Sequence, residues 1–385
     1  MTSTTVDANE LVEQPAGLRA RYVHLNAARG IAAVIVALDH YFLLFLPHSY
    51  MTYFDTSFGS LFAWSVNSAA AVFFFFTLSA FVLTRKYFGD PRTQLLVQGA
   101  VKRFPRLYVS SALSIAIAYA VLALGLNYGD AASQLTQSDW LASVHGNKSS
   151  VPLVASATGA LKESFLVLLL PDRALYNLVL WTMMYEFWGG ILCFGLAALL
   201  IYASRFGNHF AMVLAAVVLA VFWNLAAALP GSGALIAVGT TMIIGCALAF
   251  CDARGLQLPA WMAWPTVIAG LVLCAGGTVW YEVACGVLVL IGLATLRSAP
   301  PVLAGRFAQW LGDISFPLYL VHVIVLVSIS SGVFVAMHGA GVSPMVMHWT
   351  TLAVTIVACL LGCIPFVRLE RWWLATLNGF IRKIG

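Results

Sequence analysis

The chain has 385 residues, of which 61% are hydrophobic and only 9% charged, and its net charge is +5 from 20 Lys and Arg against 15 Asp and Glu. Its mean hydropathy is +0.91. Soluble domains carry roughly 25% charged residues, so a chain this poor in charge cannot cover a water-facing surface. That excludes a soluble enzyme, a nucleic-acid binder and a disordered protein, and leaves an integral membrane protein.

Residues 1–22 are polar, hold three acidic residues and end in Arg19 and Arg21. A secretory signal opens with a short basic region and a shorter apolar core, so this segment reads as a cytoplasmic tail. From Val23 the chain becomes a series of apolar stretches near the roughly 20 residues a helix needs to cross a bilayer. Ten are predicted, at 23–46, 62–84, 107–126, 176–202, 210–229, 233–251, 262–280, 283–296, 314–336 and 348–367, the eighth being short. Backbone groups in lipid must be satisfied within the span, and these runs are far longer than barrel strands. The expected fold class is therefore all-α, a polytopic membrane protein with about ten transmembrane helices. One transmembrane domain (23–367) lies between an N-terminal tail (1–22) and a C-terminal tail (368–385).

Charge placement gives the sidedness. With ten spans and the N-terminus inside, sixteen Lys and Arg fall on the cytoplasmic side and three outside (Lys148, Lys162, Arg173), while Arg29 lies within the first span. Basic residues favour cytoplasmic loops, so both termini are placed in the cytoplasm. The long external segment, 127–175, is polar at first and ends in the apolar stretch Phe165–Leu170, too short to cross. It is either a re-entrant segment lining an outward cavity or a covering loop. Asn147-Lys148-Ser149 fits a glycosylation sequon, a match that also arises by chance. Gly231-Ser232-Gly233 reads as a turn between the fifth and sixth spans. The seven cysteines lie in or beside apolar runs with no CxxC pair. Buried free thiols are the expectation, with neither a disulfide scaffold nor a metal site.

An ionisable group at mid-span costs about 2.5–3.5 kcal/mol on insertion scales, which makes each one a functional candidate. They are Arg29, Asp39 and His40 in the first span, Glu186 in the fourth, and His322 in the ninth with Asp313 at its entrance. Eleven steps of 100° bring His40 within about 20° of the face of Arg29, and the rise of 1.5 Å per residue sets them roughly 16 Å apart. They can line one cavity without hydrogen-bonding each other. Arg29 is either functional or a snorkelling or structurally paired charge, His40 either functional or a packed bridge between helices. Asp39 points about 100° away, toward structural pairing. Ser315, Tyr319 and His322, spaced i, i+4, i+7, make one polar stripe, which suits interhelical hydrogen bonding as well as catalysis. Glu186 needs a partner such as Arg29 or a histidine. Arg103 and Arg106, in the loop predicted after the second span, can clasp phosphate bidentately or express ordinary positive-inside bias. Trp181 and Tyr185 stand one turn apart in the same stretch as Glu186.

Five stretches then fall in order: Arg29-Gly30-Ile31-Ala32-Ala33 with His40; Phe73-Phe74-Phe75-Phe76-Thr77-Leu78-Ser79-Ala80-Phe81-Val82-Leu83-Thr84; Arg103-Phe104-Pro105-Arg106-Leu107-Tyr108; Trp181-Thr182-Met183-Met184-Tyr185-Glu186-Phe187; and Ile314-Ser315-Phe316-Pro317-Leu318-Tyr319-Leu320-Val321-His322. Together they resemble the acyltransferase-3 family of polytopic membrane acyltransferases, which includes bacterial O-acetyltransferases of cell-surface polysaccharides. The chain departs from the family at Asn26 (often Asp), at Ala80 (usually Gly) and after Glu370-Arg371, where a proline is commonly found.

The resemblance implies a bacterial inner-membrane enzyme that moves an acyl group, usually acetyl, from cytoplasmic acyl-CoA to a hydroxyl of an extracytoplasmic or lipid-linked glycan. Acyl-CoA is then a co-substrate, with no permanently bound cofactor and no metal. Arg103, Arg106 and Arg29 would hold the coenzyme, and Arg29 would also steady the thioester carbonyl. His40 would be the general base, its unperturbed pKa of about 6.5 suiting neutral pH, or else an acyl-histidine relay. Glu186 would orient a histidine or bind sugar hydroxyls. Trp181, Tyr185, Ser315, Tyr319 and His322 would wall the substrate cavity. The alternative is a proton-coupled transporter of sugars or lipid-linked glycans, although no inverted repeat is visible. A sensor or scaffold without turnover leaves the ordered motifs unexplained.

Overall fold

The computed structural model describes residues 16–48, 52, 62–90, 93–140 and 154–381, and these residues are helical with no strand. The Asn147 sequon, most of the N-terminal tail and the last four residues lie outside them. In chain order the helices are α1 (Ala16–Phe45), α2 (Ser68–Gly89), α3 (Thr93–Ala123), α4 (Gly129–Thr136), α5 (Ala157–Leu166), α6 (Trp181–Ala203), α7 (Asn208–Ala227), α8 (Gly233–Ala253), α9 (Ala263–Leu273), α10 (Val279–Thr295), α11 (Arg306–Asp313), α12 (Ser315–Val325), α13 (Ser331–Gly339) and α14 (Pro344–Ile381). A π-helical turn, Leu326–Ser330, joins α12 to α13.

Among the described residues, eight helices are long and apolar enough to cross a membrane, counting α12 to α13 as one. Two shorter apolar helices, Ala260–Gly276 and Val279–Thr295, occupy the positions of the seventh and eighth predicted spans. The third predicted span begins much earlier than expected. Lys102 to Arg106 lie inside α3, beyond its second turn, and form no loop. Pro105 removes one backbone donor there, and its own carbonyl is taken by Trp373 Nε1 at 2.8 Å. α1 likewise starts at Ala16, inside the predicted tail, with a non-helical residue at Tyr22.

Burial separates inner from outer helices. α2 buries residues around its whole circumference, among them Phe73, Phe74, Phe76, Leu78, Phe81 and Leu83. α7 buries only Ala211, Ala215 and Ala226, as expected of a helix whose remaining faces meet lipid tails. Helix association in lipid runs on close packing and small residues rather than on apolar burial alone. The apolar stretch Phe165–Leu170 is the end of α5 and a turn that tucks Val167 and Leu168 into the core.

Candidate functional site

The site is built from α1, α2, α3, α6, α11, α12 and α14. α1 meets α11 through two glycines. A Cβ on Gly30 would lie 2.6 Å from Gly312 N and Leu311 C, and one on Gly312 would strike Asn26 O at 2.3 Å. With no side chain at either position, Arg29 Nη2 reaches the Gly312 carbonyl at 2.9 Å and Asn26 Oδ1 at 3.0 Å. Asn26 Nδ2 in turn donates to Asp313 Oδ1 at 3.0 Å. The residue that departs from the family pattern thus connects Arg29 to the carboxylate at the start of the ninth span.

Deeper along α3, Arg103 is buried and paired with Glu186 of α6. Its Nη2 also donates to the Glu186 carbonyl at 3.1 Å, and Ser79 of α2 donates its hydroxyl to the same carboxylate. The partners of Glu186 are therefore Arg103 and Ser79, where Arg29 or a histidine was expected. The reason is geometric: α3 and α6 are neighbours, and Gly190 leaves room for the guanidinium, since a Cβ there would lie 2.7 Å from Arg103 Nε. Glu370 of α14 interacts electrostatically with Arg106, Arg29 and Arg371, and Arg106 also with Glu186.

These groups surround a cavity of about 190 Å³. Arg29, Arg103, Arg106, Glu186, Asp313 and Glu370 supply its charges, Ser315 and Tyr319 part of its wall, and α2 much of its apolar side through Val72, Phe75, Phe76 and Val82. Its upper limit is Tyr319. That phenol donates to the Val179 carbonyl at 3.0 Å and meets the Thr182 hydroxyl at 3.1 Å, while the ring of Phe75 stands 6.2 Å from its own.

Behind Tyr319 lie the two histidines. His322 is 1% exposed and its ring centroid is 5.9 Å from that of Tyr319. His40 Nδ1 is 2.9 Å from His322 Nε2, with the rings nearly parallel at 19°. Arg29 to His40 is eleven residues along α1, and Gly312 to His322 is ten along the neighbouring chain. Rises of roughly 16 and 15 Å therefore carry both contacts upward in register. Tautomers follow from the partners. His322 Nδ1 lies 3.1 Å from the Leu318 carbonyl, which only accepts, so this nitrogen carries the proton. Neutral His322 then accepts at Nε2, His40 donates from Nδ1, and His40 Nε2 keeps its lone pair. Trp140 stacks on the other side of the His40 ring at 4.6 Å, held near the end of α1 by the hydrogen bond from Ser138 Oγ to the Leu43 carbonyl.

Of the residues expected to wall the cavity, Ser315 and Tyr319 do so; Trp181, Tyr185 and His322 do not line it. Trp181 is 40% exposed and packs edge-on against Tyr185 at 5.8 Å. Ser315 Oγ donates to the Gly312 carbonyl, so the polar stripe on α12 splits among three separate partners. Trp140 escaped the sequence reading; a lone tryptophan after Ser138-Asp139 in a polar stretch was its only signal. Glu370 was noticed only as part of a motif, because a carboxylate near the end of a long span looks like interfacial charge.

A family model for an acyltransferase domain matches residues 22–368. No curated protein and no solved structure matches the chain. The matched segment runs from Tyr22 in α1 to Arg368 within α14 and takes in every residue lining the cavity except Glu370. A helical membrane domain with this ordered set of buried arginines and histidines, matched over nearly its whole length, belongs to the acyltransferase-3 family and is a membrane acyltransferase.

Proposed function

We propose that the protein transfers an acyl group, acetyl being the simplest, from cytoplasmic acyl-CoA to a hydroxyl of an extracytoplasmic or lipid-linked glycan in a bacterial inner membrane. One observation carries the reading: a cavity that gathers Arg29, Arg103 and Arg106 beside their carboxylate partners lies next to a hydrogen-bonded histidine pair. The charge distribution of the sequence puts the cavity toward the cytoplasm and the histidines toward the outer half.

In this reading Arg29 and Arg106 hold the coenzyme phosphates, their charge kept in place by Glu370 and Asp313 in its absence. Arg103 is fixed by Glu186 and Ser79 and acts as the preset positive wall. The thioester passes upward along the apolar side of α2 toward Tyr319. His40 Nε2 takes the proton of the acceptor hydroxyl as that oxygen attacks the thioester carbonyl carbon; the carbon–sulfur bond then breaks, the His40 imidazolium returns the proton to the departing sulfur, and coenzyme A leaves as its thiol. The imidazolium formed on His40 is stabilised by its Nδ1–H donating to His322, whose own orientation the Leu318 carbonyl maintains. Such a relay is a positioned general base, an effect of about 10²–10⁴-fold in other enzymes.

The test uses purified protein in sealed vesicles, with acyl-labelled acetyl-CoA on the cytoplasmic side and a mixed glycan pool on the other. Label entering glycan with wild type and not with His40→Ala is the expected result. Loss of coenzyme binding by a folded His40→Ala protein would overturn the division of roles. If wild type does not bind acetyl-CoA and vesicles instead take up glycan without it, the protein is a transporter.

A further inference from the structure

The α9–α10 hairpin carries a feature the acyl-transfer chemistry does not use. Cys274, just past the end of α9, and Cys285, two turns into α10, have their sulfur atoms 2.6 Å apart. Both are buried, at 5% and 4% exposure, in a small cluster with Ala70 of α2, packed by Trp64 and Val289. The other thiols differ: Cys193 and Cys246 lie against each other but each also turns to a backbone carbonyl, at 3.6 and 3.8 Å, and Cys251 turns to the sulfur of Met212. The two residues are eleven apart in sequence, across the tight link at Gly277, whose φ is +68°.

The surroundings tie this pair to the helix that lines the cavity. Asn67 caps α2 by accepting from Ala70 N at 2.8 Å, and its Nδ2 donates to the Cys274 carbonyl at 3.4 Å. Next to Cys285, Gly286 lets α10 press directly on the α2 backbone, where a Cβ would lie 2.6 Å from Phe74 N and 2.8 Å from Phe73 C. The next residues of α2, Phe75 and Phe76, face the cavity. By the sidedness of the basic residues, the α9–α10 link is extracytoplasmic, where disulfides persist.

We infer that Cys274 and Cys285 form a disulfide that staples the outer end of this hairpin against α2. The bond forms by exchange. One cysteine thiolate attacks the disulfide of an extracytoplasmic dithiol oxidant and releases one oxidant thiol; the second cysteine thiolate attacks the mixed disulfide and releases the other. The chain gives up two electrons and two protons, and the oxidant is reduced to its dithiol. Because the sulfurs are buried in the finished fold, exchange precedes the packing of α10 on α2. The inference rests on the sidedness and on the hairpin geometry, and stands or falls independently of the acyl-transfer reading.

Thiol counting tests it. Protein taken from membranes with its thiols trapped by acid is denatured, alkylated with iodoacetamide with or without prior reduction, and weighed intact. Five alkylated cysteines before reduction and all seven after are expected for wild type. Cys274→Ser should show six in both conditions, because Cys285 then has no partner. Seven alkylated cysteines in unreduced wild type overturn the inference, and so does a Cys274→Ser protein in which two thiols remain blocked.

Discussion

The two ends of the site solve the problem of polar groups in a membrane in different ways. At the lower end every charge has an opposite charge at hand: Glu186 for Arg103, Asp313 and Glu370 for Arg29, Glu370 again for Arg106. At the upper end the chain from Leu318 through His322 to His40 consists of neutral hydrogen bonds and aromatic stacking. In the proposed reading, fixed counter-ions keep the lower end from collapsing when the polyanionic coenzyme is absent. In the proposed reading, neutral imidazoles held by a ring nitrogen, a carbonyl and aromatic rings suit the upper end to accept a proton. Tyr319 marks the boundary, one turn below His322 and anchored to the fourth span by Thr182 and Val179.

This contrast can be broken most sharply at His40. His40→Ala should lower acyl transfer by about 10²–10⁴-fold and leave the affinity for acyl-CoA, measured by equilibrium binding, unchanged. At the lower end the largest effect should fall on stability. Glu186→Ala strands a buried guanidinium, and losing one partner of a buried pair costs about 3–5 kcal/mol, readable as a lower thermal midpoint in detergent. His322→Ala should act through His40 alone, removing a hydrogen bond to a developing imidazolium that is worth about 1.5–3 kcal/mol. The expected loss is about ten- to a hundredfold in transfer rate, with the alkaline and acid limbs of the pH–rate profile displaced and KM for acyl-CoA held. Arg106→Ala should do the reverse, raising KM for acyl-CoA about tenfold through a lost charge-assisted phosphate contact at nearly constant maximal rate.

The smallest effect sharpens the comparison from the outer segment. Glu163 of α5 is a buried carboxyl there, held by the backbone N–H groups of Leu175 and Tyr176 at 3.0 and 3.1 Å. Burial pushes its pKa from 4.5 up to about 7, against the lowering effect of those two N–H groups. Between these values the folded chain holds the proton more tightly than the unfolded chain does, so stability is full below about 4.5 and declines as pH rises toward 7. Thermal unfolding from pH 5 to 8 should show this decline in wild type, and Glu163→Gln should flatten it.

Much of the architecture was legible in advance because the bilayer imposes a length and a composition on every span. The ordered motifs and the polar Arg29, Glu186 and His322 stood out against apolar surroundings, whereas the eighth span, short in the sequence, is a helix too short to rank with the eight long ones. The misplaced element, the Arg103 segment, failed for a definite reason: Lys102, Arg103, Pro105 and Arg106 together look like a loop, yet α3 continues through them because Glu186 pairs with Arg103 and Glu370 and Glu186 supply the field around Arg106. Trp140 and the thiol pair were invisible for the opposite reason. Nothing local distinguishes a residue whose meaning lies in a neighbour from another helix.

The amino-acid sequence by itself determined that the chain lives in a membrane as a bundle of apolar helices and that Arg29 and His40 share a face about three turns apart. Helical periodicity and the cost of charge in lipid are properties of one segment at a time, and they can be read one segment at a time. Only the tertiary structure decided that His40 meets His322 across 282 residues, that Glu186 belongs to Arg103 across 83, and that Tyr319 stands between the cavity and the histidines. A helix's period says which side chains point together, and the packing of helices around Gly30, Gly190 and Gly312 says what they point at.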